Sequence, residues 1–527
     1  MSNQTLKTTP QIGGGYSHYV LAILMLVYAF NFIDRNILTI LAEDIKADLD
    51  ISDGELGFLY GTVFAVFYAV FGIPLARFAD VWSRRSLISI GLSAWSLMTA
   101  ASGLARSFGA LAVCRIGVGI GEASASPAAL SLLADYYAPK WRATVFAIYS
   151  SGLWIGAGFG MFLGGYVLDY WSTTYPTAPP FGLKGWQVAF MVVGLPGLLL
   201  AVWVRTLREP ERGVSEGLTS PKHPAPFQLL GNELMSVIPL LNLYGLRKTP
   251  KALFINATAA TCIILITSGL ILITGSIAQW STLAMGLYIA FSWAQSLRIR
   301  DPAAFAMIFR CKAFMYSALA FPVMNFAGVG STFWIPPLLI RTYDTGIAEI
   351  GLYIGLGTAV GGFIGTNLGG FAADYLRRLY PSGRLILGYP VVAGMTPILL
   401  LLLHTESLTT AFWLYFLYMI PVTAMGGALQ ATATDLVMPR MRALAAAVVL
   451  LANTFIAFAL GPYIIGQLSD VLQSSGINDV ESLRIAIMVS TLVFIPALIL
   501  LFMAQRHLPN DEASRLERAR ALGEKMD

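Results

Sequence analysis

The chain has 527 residues, of which 56% are hydrophobic and 12% are charged, and its formal net charge is +5. A composition this apolar excludes a soluble globular protein and indicates a helical protein with many membrane spans. The positive charge does not indicate a nucleic-acid partner, because the arginines and lysines collect in alternate loops between apolar runs. Loops of this kind face the cytoplasm, so we expect both termini to be cytoplasmic.

Apolar runs of about 20 residues predict the membrane helices. Six runs form a first group, near 18–41, 55–77, 84–104, 108–136, 142–168 and 185–207. Six more form a second group, near 313–341, 347–375, 384–404, 408–437, 441–468 and 484–507. Two further runs, 253–275 and 277–297, lie between the groups and are interpreted as an inserted helical hairpin with a peripheral, lipid-facing or stabilising role. The prediction is an all-α protein with two pseudo-symmetric six-helix bundles, an inserted hairpin and fourteen spans.

These runs also set the expected domain boundaries. The first run is too long for a signal-peptide core and has no small-residue cleavage site, so we expect an uncleaved first span. The expected domains are a cytoplasmic N-terminal tail (1–17), an N-terminal bundle (18–208), a cytoplasmic linker with the hairpin at about 253–297 (209–312), a C-terminal bundle (313–507) and a cytoplasmic C-terminal tail (508–527).

One loop pattern occurs twice in the chain. The sequence GIPLARFADVWSRR occupies 72–85, and GGFAADYLRR occupies 369–378, with Asp374 lying 294 residues after Asp80. Other loops repeat in the same order. A duplicated set of membrane helices is typical of secondary transporters, in which two halves rock about a central site.

Four ionisable residues lie well inside predicted spans, namely Asp34, Arg35, Arg115 and Glu122. A charge near a helix centre costs roughly 2.5–3.5 kcal/mol on insertion scales, so these groups must pair or face water. Asp34 and Arg35 are adjacent and point in different directions on a helix, so they cannot readily satisfy each other. From the helical rise we expect Asp34, Arg35 and Arg115 about 10 Å below the outer end, with Glu122 nearer the midplane.

A buried carboxyl group holds a proton unless an arginine compensates its charge, and alternation between these two situations carries protons. We therefore predict that Asp34 and Glu122 carry protons, while Arg35 and Arg115 hold an anionic group of the substrate. The second group has no equivalent buried charges, so its expected substrate contacts are neutral or aromatic: Asn325, Trp334, Asn367, Tyr415 and Asn453. A cavity with one charged side and one apolar side suits an amphiphile with an anionic head.

Several of these motifs resemble known transporters. The duplicated loops, the run RIGVGIGE at 115–122 and the glycine-rich face of span five, at 152–165, resemble the signature motifs of the major facilitator superfamily. The sequences NFIDR at 31–35, ISDGELG at 51–57 and GEASASP at 121–127 are similar to the spinster lipid transporters. The inserted hairpin departs from the usual twelve-helix plan of the superfamily.

The superfamily resemblance implies alternating access, with Asp80 meeting the start of span eleven and Asp374 acting likewise near span five. The gating motif that it implies consists of Gly72, Asp80, Arg84, Arg85, Asp374, Arg377 and Arg378. The spinster resemblance implies transport of lysophospholipids, sphingosine 1-phosphate or related lipids, often coupled to protons. It also assigns Asp34 and Glu122 to coupling and Arg35 and Arg115 to the site, in agreement with the charge argument.

The expected partners are thus a lipid or lipid-like substrate, protons and membrane lipids, with no nucleic acid. We expect a monomer, and the sparse charges of the external loops suit a bacterial inner membrane. The three cysteines have no metal-ligand spacing, so neither a metal nor another cofactor is expected.

The chief alternative is a proton-coupled carrier of small organic anions, because other branches of the superfamily also have an Asp-Arg pair in span one. A membrane enzyme is disfavoured, since none of the four histidines lies beside a buried acid or nucleophile in the sequence. A sensor with a transporter fold would bind a ligand without moving it.

Overall fold

The structure is a computed structural model that describes residues 12–138, 141–216, 224–238, 250–343 and 345–523. Every element of regular secondary structure in these ranges is a helix. Most of the predicted N-terminal tail, two stretches of the predicted linker and the last four residues of the predicted C-terminal tail lie outside the described residues.

The described helices fall into two groups of six separated by a linker. The first helix group contains α1 (Gly15–Leu49), α2 (Asp53–Val81), α3 (Arg84–Ser102), α4 (Phe108–Tyr136), α5 (Arg142–Thr174) and α6 (Gly185–Arg205). The linker contains α7 (Pro226–Val237), α8 (Pro250–Thr274), α9 (Ile277–Arg300) and α10 (Pro302–Phe309). The second helix group contains α11 (Lys312–Thr342), α12 (Ile347–Leu379), α13 (Gly383–His404), α14 (Leu408–Asp435), α15 (Leu444–Ser474) and α16 (Asp479–Ala513), followed by α17 (Arg515–Ala521).

Twelve of the described helices are long and apolar enough to cross a membrane, whereas the sequence pattern predicted fourteen spans. The two predicted spans that are not among these twelve helices are α3 and α9. Both are more polar than their neighbours, because α3 begins with two arginines and contains five serines, and α9 contains two glutamines and ends with arginines. The structure therefore supports an integral membrane protein with twelve spans, and the predicted additional transmembrane hairpin is not established by it.

The duplication is visible in the packing. In the first helix group α1 packs along α5 and α3 along α6, and in the second helix group α11 packs against α15 and α13 against α16. Close contact between α1 and α5 depends on four glycines of the predicted glycine face, which all point at α1: Gly152, Gly156, Gly160 and Gly164. These glycines serve dense packing within one group.

Two seams join the helix groups, one between α2 and α15 and one between α5 and α12. In the first seam, a Cβ atom on Gly57 would lie 2.5 Å from the carbonyl oxygen of Pro462. In the second seam, a Cβ atom on Gly158 would lie 2.3 Å from the carbonyl oxygen of Gly355. Any side chain at these glycines would push the two groups apart, so part of the glycine face, including Gly158, belongs to a boundary between the groups.

The first seam is strengthened by a carboxylate at a helix start. Asp470 of α15 accepts hydrogen bonds from the main-chain N–H groups of Asp53 (2.9 Å) and Gly54 (2.7 Å), the first residues of α2. Helix starts leave N–H groups without helical partners and carry a partial positive charge, so an acid is stabilised there.

An ion cluster that we call the outer latch closes the same end of the molecule. Arg341 of α11 donates to Glu43 (2.8 and 2.9 Å) and to the fully buried Asp53 (2.7 and 3.1 Å), and it also binds Asp479 at 2.9 Å. Lys46 of α1 binds Asp53 at 2.8 Å. From the distribution of arginine and lysine, the sequence predicts that this end faces outward. The two helix groups are therefore held together at their predicted outer ends.

We expect Arg341→Ala to open the outer side. Removal of one partner from a buried ion cluster costs about 3 kcal/mol or more, which changes the ratio of two conformations roughly a hundredfold. Spin labels on cysteines at the exposed positions Ala47 and Ser475 should report a longer distance between α1 and α15 in the variant, measured by double electron–electron resonance.

The matched control is Arg484→Ala, because Arg484 pairs only within α16, with Glu481 at 2.5 Å. Its distance distribution should match that of the unsubstituted chain. An unchanged distribution in Arg341→Ala would contradict the latch.

Candidate functional site

The buried charges lie deeper than the sequence pattern predicted. Helix α1 continues to Leu49, eight residues beyond the predicted end of the first span. Asp34 and Arg35 are therefore about 21–22 Å from the outer end of α1, not about 10 Å. Glu122 lies about 21 Å from the start of α4 at Phe108. The contact between Arg35 and Glu122 shows that the two residues lie at the same level of the first helix group.

Arg35 and Glu122 form an ion pair, with the guanidinium Nη2 donating to the carboxylate Oε2 at 2.7 Å. The Glu122 side chain is fully buried, while the Arg35 side chain is 12% exposed. The second oxygen of Glu122 has no hydrogen-bond partner among the described residues. Arg35 is thus the accessible member of the pair, and its partner is held in the interior.

Asp34 and Arg115 are fully buried nearby and do not pair with each other through their side chains. Both carboxylate oxygens of Asp34 lack a hydrogen-bond partner in the described part of the chain. Its polar neighbours on α3 are Thr99 and Trp95, whose own side-chain polar atoms also lack partners. Arg115 donates to the main-chain oxygens of Asp34 and Leu59, each at 3.3 Å. The interior therefore holds three arrangements of charge. Arg35 and Glu122 form an ion pair, Arg115 donates hydrogen bonds to main-chain carbonyl groups, and the Asp34 carboxyl group has no hydrogen-bond partner among the described residues.

Glycines in the 115–122 run explain why these charges lie so close to neighbouring helices. A Cβ atom on Gly119 would lie 2.7 Å from the carbonyl oxygen of Phe64 in α2, and one on Gly121 would lie 2.9 Å from Trp95 in α3. The regular helix ends at Glu122 and restarts at Ala125. Helix interruptions at this depth are typical of transport sites, because they expose main-chain polar groups to a cavity.

Aromatic rings surround the two guanidinium groups. The ring of Phe64 lies 4.3 Å from the Arg35 guanidinium carbon and 5.2 Å from that of Arg115. Phe32 and Tyr68 lie 4.7 and 5.2 Å from Arg35. The faces of these rings attract cations, so they hold the arginine heads without providing a second negative charge.

A polar group that we call the tyrosine cluster (Tyr28, Tyr68, Tyr149 and Ser126) lies beside this ion pair. Tyr28 and Tyr149 stack with their centroids 4.5 Å apart, and the Ser126 side chain lies within reach of all three tyrosine hydroxyls. Sequence reasoning missed these residues. The one available signal was that Ser126 follows Glu122 by one helical turn, because tyrosines at helical spacing are otherwise indistinguishable from packing residues.

The five predicted contact residues of the second helix group do not all meet. Asn325 donates to Asn453 at 3.0 Å, so this pair is brought together. Trp334 is fully buried and donates to a carbonyl of α15, and the hydroxyl of buried Tyr415 bonds to a threonine of α12. Asn367 is exposed and donates to its own helix. Only Asn325 and Asn453 form a joint polar site.

The first copy of the gating motif binds within its own half of the chain. Arg84 is buried and binds both Asp135 and Glu209, the latter at 2.9 Å. Arg85 donates to a main-chain oxygen beyond α6, while Asp80 is exposed. Space is open around Gly72.

The second copy behaves in the same way. Arg384 binds Asp435 at 2.5 Å and Asp374 at 3.5 Å, and Arg377 binds Glu512 at 2.5 Å, while Arg378 is exposed. In the described chain, no residue of either motif copy bonds to the opposite helix group. The described residues therefore do not make the latch implied by the resemblance, whereas they do make the outer latch.

Glu209 organises the predicted cytoplasmic end of the first group. Burial raises the pKa of Glu209, but hydrogen bonds from the Arg85 N–H and from Arg84 outweigh burial and hold the pKa below its usual value. A carboxyl group with a lowered pKa in the folded state stabilises the fold above its unfolded pKa of about 4.3. That contribution is lost as the pH falls through the folded value.

We expect Glu209→Gln to lower the free energy of unfolding by about 1–3 kcal/mol at pH 7, because charged hydrogen bonds to Arg84 are lost. Thermal melting of the purified variant and the unsubstituted chain, followed from pH 7 to pH 3, checks this. The difference between the two midpoints should shrink below about pH 4. Glu211→Gln, an exposed neighbour, is the control. A constant difference across the pH range would contradict the role of the carboxylate.

Comparisons with known proteins place this geometry in a family. The model of the Major Facilitator Superfamily matches residues 24–462. An MFS-type efflux pump of Mycolicibacterium smegmatis is 26% identical over 451 residues, which cover 85% of this chain and 84% of that protein. Protein spinster homolog 1 of Bos taurus is 24% identical over 511 residues, which cover 93% and 80%.

A solved structure gives the same result. The crystal structure of a bacterial homologue of the human lysosomal transporter spinster, in an inward-facing and unoccupied conformation, has a TM-score of 0.71 and 27% sequence identity. The match covers 94% of this chain and 98% of that one. The present chain therefore belongs to the Major Facilitator Superfamily, as a multi-pass secondary transporter related to the spinster family, and it is not an enzyme.

Proposed function

We propose that this transporter moves an anionic amphiphile, a lysophospholipid or a lipid like sphingosine 1-phosphate, coupled to protons by alternating access. The observation that carries the proposal is the ion pair of Arg35 with buried Glu122, beside an Asp34 carboxyl group that has no hydrogen-bond partner among the described residues. In this proposal Asp34 and Glu122 carry protons, and Arg35 and Arg115 bind the anionic group of the lipid.

Competition for Arg35 supplies the coupling. Its guanidinium is partly exposed and is occupied by Glu122. An anionic head that binds Arg35 displaces this carboxylate, which is buried and whose second oxygen has no hydrogen-bond partner in the described ranges. A carboxylate stranded in the interior is strongly unfavourable, whereas its neutral form is tolerated, so substrate binding and protonation favour each other. By linkage, the proton also raises the affinity for the lipid.

Asp34 is the second proton carrier in this scheme. Its carboxyl group is buried near the Thr99 hydroxyl, which can donate or accept a hydrogen bond, and the Trp95 indole N–H, which can only donate; neither group carries a charge. Arg115 contacts the main chain of Asp34 rather than its carboxylate. A small shift of α1 against α4 would let Arg115 reach that carboxylate and stabilise its charged form, which is how a conformational change can release a proton.

The surroundings of Arg35 suit a phosphate head. The tyrosine cluster offers four hydroxyl groups beside the guanidinium, and hydroxyl donors complement an oxyanion.

On the second helix group, the polar atoms of Trp334 and Tyr415 are already bonded within the protein. This leaves the polar pair Asn325 and Asn453 amid largely apolar surface, which suits a hydrocarbon chain.

The proposal also assigns the molecule to a membrane. We place it in a bacterial inner membrane with both termini cytoplasmic, and treat 18–208 and 313–507 as the two rocking bundles. The charge distribution of the loops supports this orientation.

We expect Asp34→Asn and Glu122→Gln each to abolish gradient-dependent lipid flux, because an amide cannot carry the proton. The assay reconstitutes the chain in liposomes, imposes a pH gradient and follows labelled lysophosphatidylglycerol, sphingosine 1-phosphate and gluconate. Asp44→Asn, the same substitution ten residues along α1 from Asp34, is the control and should behave as the unsubstituted chain.

The outcomes distinguish a proton-coupled lipid transporter from the alternative functions. Flux of gluconate alone would overturn the lipid assignment and favour a carrier of small organic anions. Lipid flux that ignores the gradient in every variant would overturn the coupling. Binding without flux of any probe would indicate a sensor.

We expect Arg35→Ala to weaken binding of lysophosphatidylglycerol about 10–100-fold, the loss of one charged hydrogen-bond interaction of about 1.5–3 kcal/mol. Arg35→Lys should restore only part of the affinity, because an ammonium group lacks the planar, stacked geometry of guanidinium. Microscale thermophoresis measures both, with Arg106→Ala in an exposed loop as control. Equal affinities for all chains would show that Arg35 does not bind the head.

A further inference from the structure

Helix α9 lies across the seam where α2 of the first helix group meets α15 of the second. The hydroxyl of Thr62 in α2 lies 2.6 Å from the side-chain oxygen of Gln279 and 2.6 Å from the carbonyl oxygen of Ala459 in α15. One hydroxyl hydrogen cannot serve both acceptors. With the Gln279 amide turned, its nitrogen, which otherwise has no partner, donates to Thr62 and Thr62 donates to Ala459. One hydrogen-bond chain then links α9, α2 and α15.

Two helical turns further on, Gly286 makes a second three-way contact. A Cβ atom there would lie 2.6 Å from the ring of Phe455 in α15 and 2.8 Å from a methyl group of Val66 in α2. A glycine therefore lets α9 touch both helix groups at one level. The two contacts are about 10 Å apart along α9.

The remaining contacts follow one face of α15. Ser276 donates to Gln467 at 3.2 Å, and the ring of Trp280 meets Tyr463 edge to face at 5.6 Å. Together with Phe455, which meets Gly286, the positions of α15 contacted by α9 and its N-cap residue are 467, 463 and 455, spaced four and eight residues apart. That spacing defines a single helical face, so α9 runs along α15 rather than crossing it at one point.

The contact coincides with irregular backbone in both partners. Phe58–Thr62 in α2 and Thr454–Phe458 in α15 are π-helical turns, and Thr62 and Ala459 lie at their ends. Turns of this type often mark functional positions within a helix. Helix α9 thus contacts each helix group at or beside a π-helical turn.

Helix α8 covers α9 from outside. Asn256 of α8 donates to Ser292 and Gln295 of α9, each at 2.9 Å, and accepts from Tyr288 at 2.8 Å. The outward face of α8 is apolar and exposed. At the predicted cytoplasmic end, the ring centroid of Phe227 in α7 lies 5.5 Å from that of Phe78 in α2. Helix α7 therefore covers α2 at this end.

We propose that α9, backed by α8, is a fixed side wall that seals the seam between α2 and α15 against bilayer lipid. It stays attached to both helix groups while they rock, so no lipid enters or leaves the central cavity through this seam. We infer this wall from the packing of α9 against α2 and α15. The inference does not depend on the proposed lipid substrate, because the same packing would seal the seam for any substrate.

The test uses a phosphatidylethanolamine with a diazirine-bearing acyl chain in proteoliposomes, illuminated and followed by peptide mass spectrometry. In the unsubstituted chain we expect adducts on α8 and none on 62–66 or 454–458. Gly286→Leu, which forces α9 away from Val66 and Phe455, should produce adducts on both stretches. Gly269→Leu on α8, where space is open, should leave the pattern unchanged.

Labelling of 62–66 or 454–458 in the unsubstituted chain would overturn the wall, and this result needs no variant to fold. The milder Gly286→Ala, which must still displace the Phe455 ring, should give weaker labelling of the same stretches. In Arg341→Ala, which opens the outer latch, both stretches should stay unlabelled. Labelling there would show that the wall leaves one group when the molecule changes conformation.

Discussion

The ion pair between Arg35 and Glu122 is the interaction on which the charged interior of this transporter depends. Four ionisable groups lie in the interior of the first helix group, and isolated charges inside membrane helices are costly. Only this pair compensates both charges directly, while Arg115 relies on carbonyl groups and Asp34 has no partner among the described residues. The buried charges are therefore neutralised by contacts that can be exchanged. An anion that enters can replace a carboxylate on an arginine, and a proton that enters can neutralise a carboxylate.

Closure at the predicted outer end determines which side of this interior is reachable. The outer latch around Arg341 and the carboxylate of Asp470 at the start of α2 hold the outer ends, and glycines such as Gly57 and Gly158 let the groups touch along two seams. No bond between the groups comes from the gating motif in the described chain. The described contacts between the groups thus include an ion cluster at the predicted outer end and none from the gating motif at the other end.

The sequence reveals the duplication, the four buried charges and the glycine face, because charge and glycine are rare enough in membrane helices to stand out. It misjudges the depth of Asp34 and Arg35, since the polar outer end of α1 hides the eight residues by which the helix exceeds its apolar run. It also misses the outer latch and the tyrosine cluster. Arg341 lies 298 residues from Glu43 and 288 residues from Asp53, and Tyr28 and Tyr149 look like packing residues until the fold brings them together.

Proton movement driven by lipid tests the central claim most directly. Liposomes containing the protein and a trapped pH-sensitive dye, with no imposed gradient, receive lysophosphatidylglycerol on one side. If Glu122 yields Arg35 to the anionic head and takes up a proton, the lipid should move protons across the membrane in the unsubstituted chain and not in Glu122→Gln. Transport of the lipid without any change in internal pH would contradict the account.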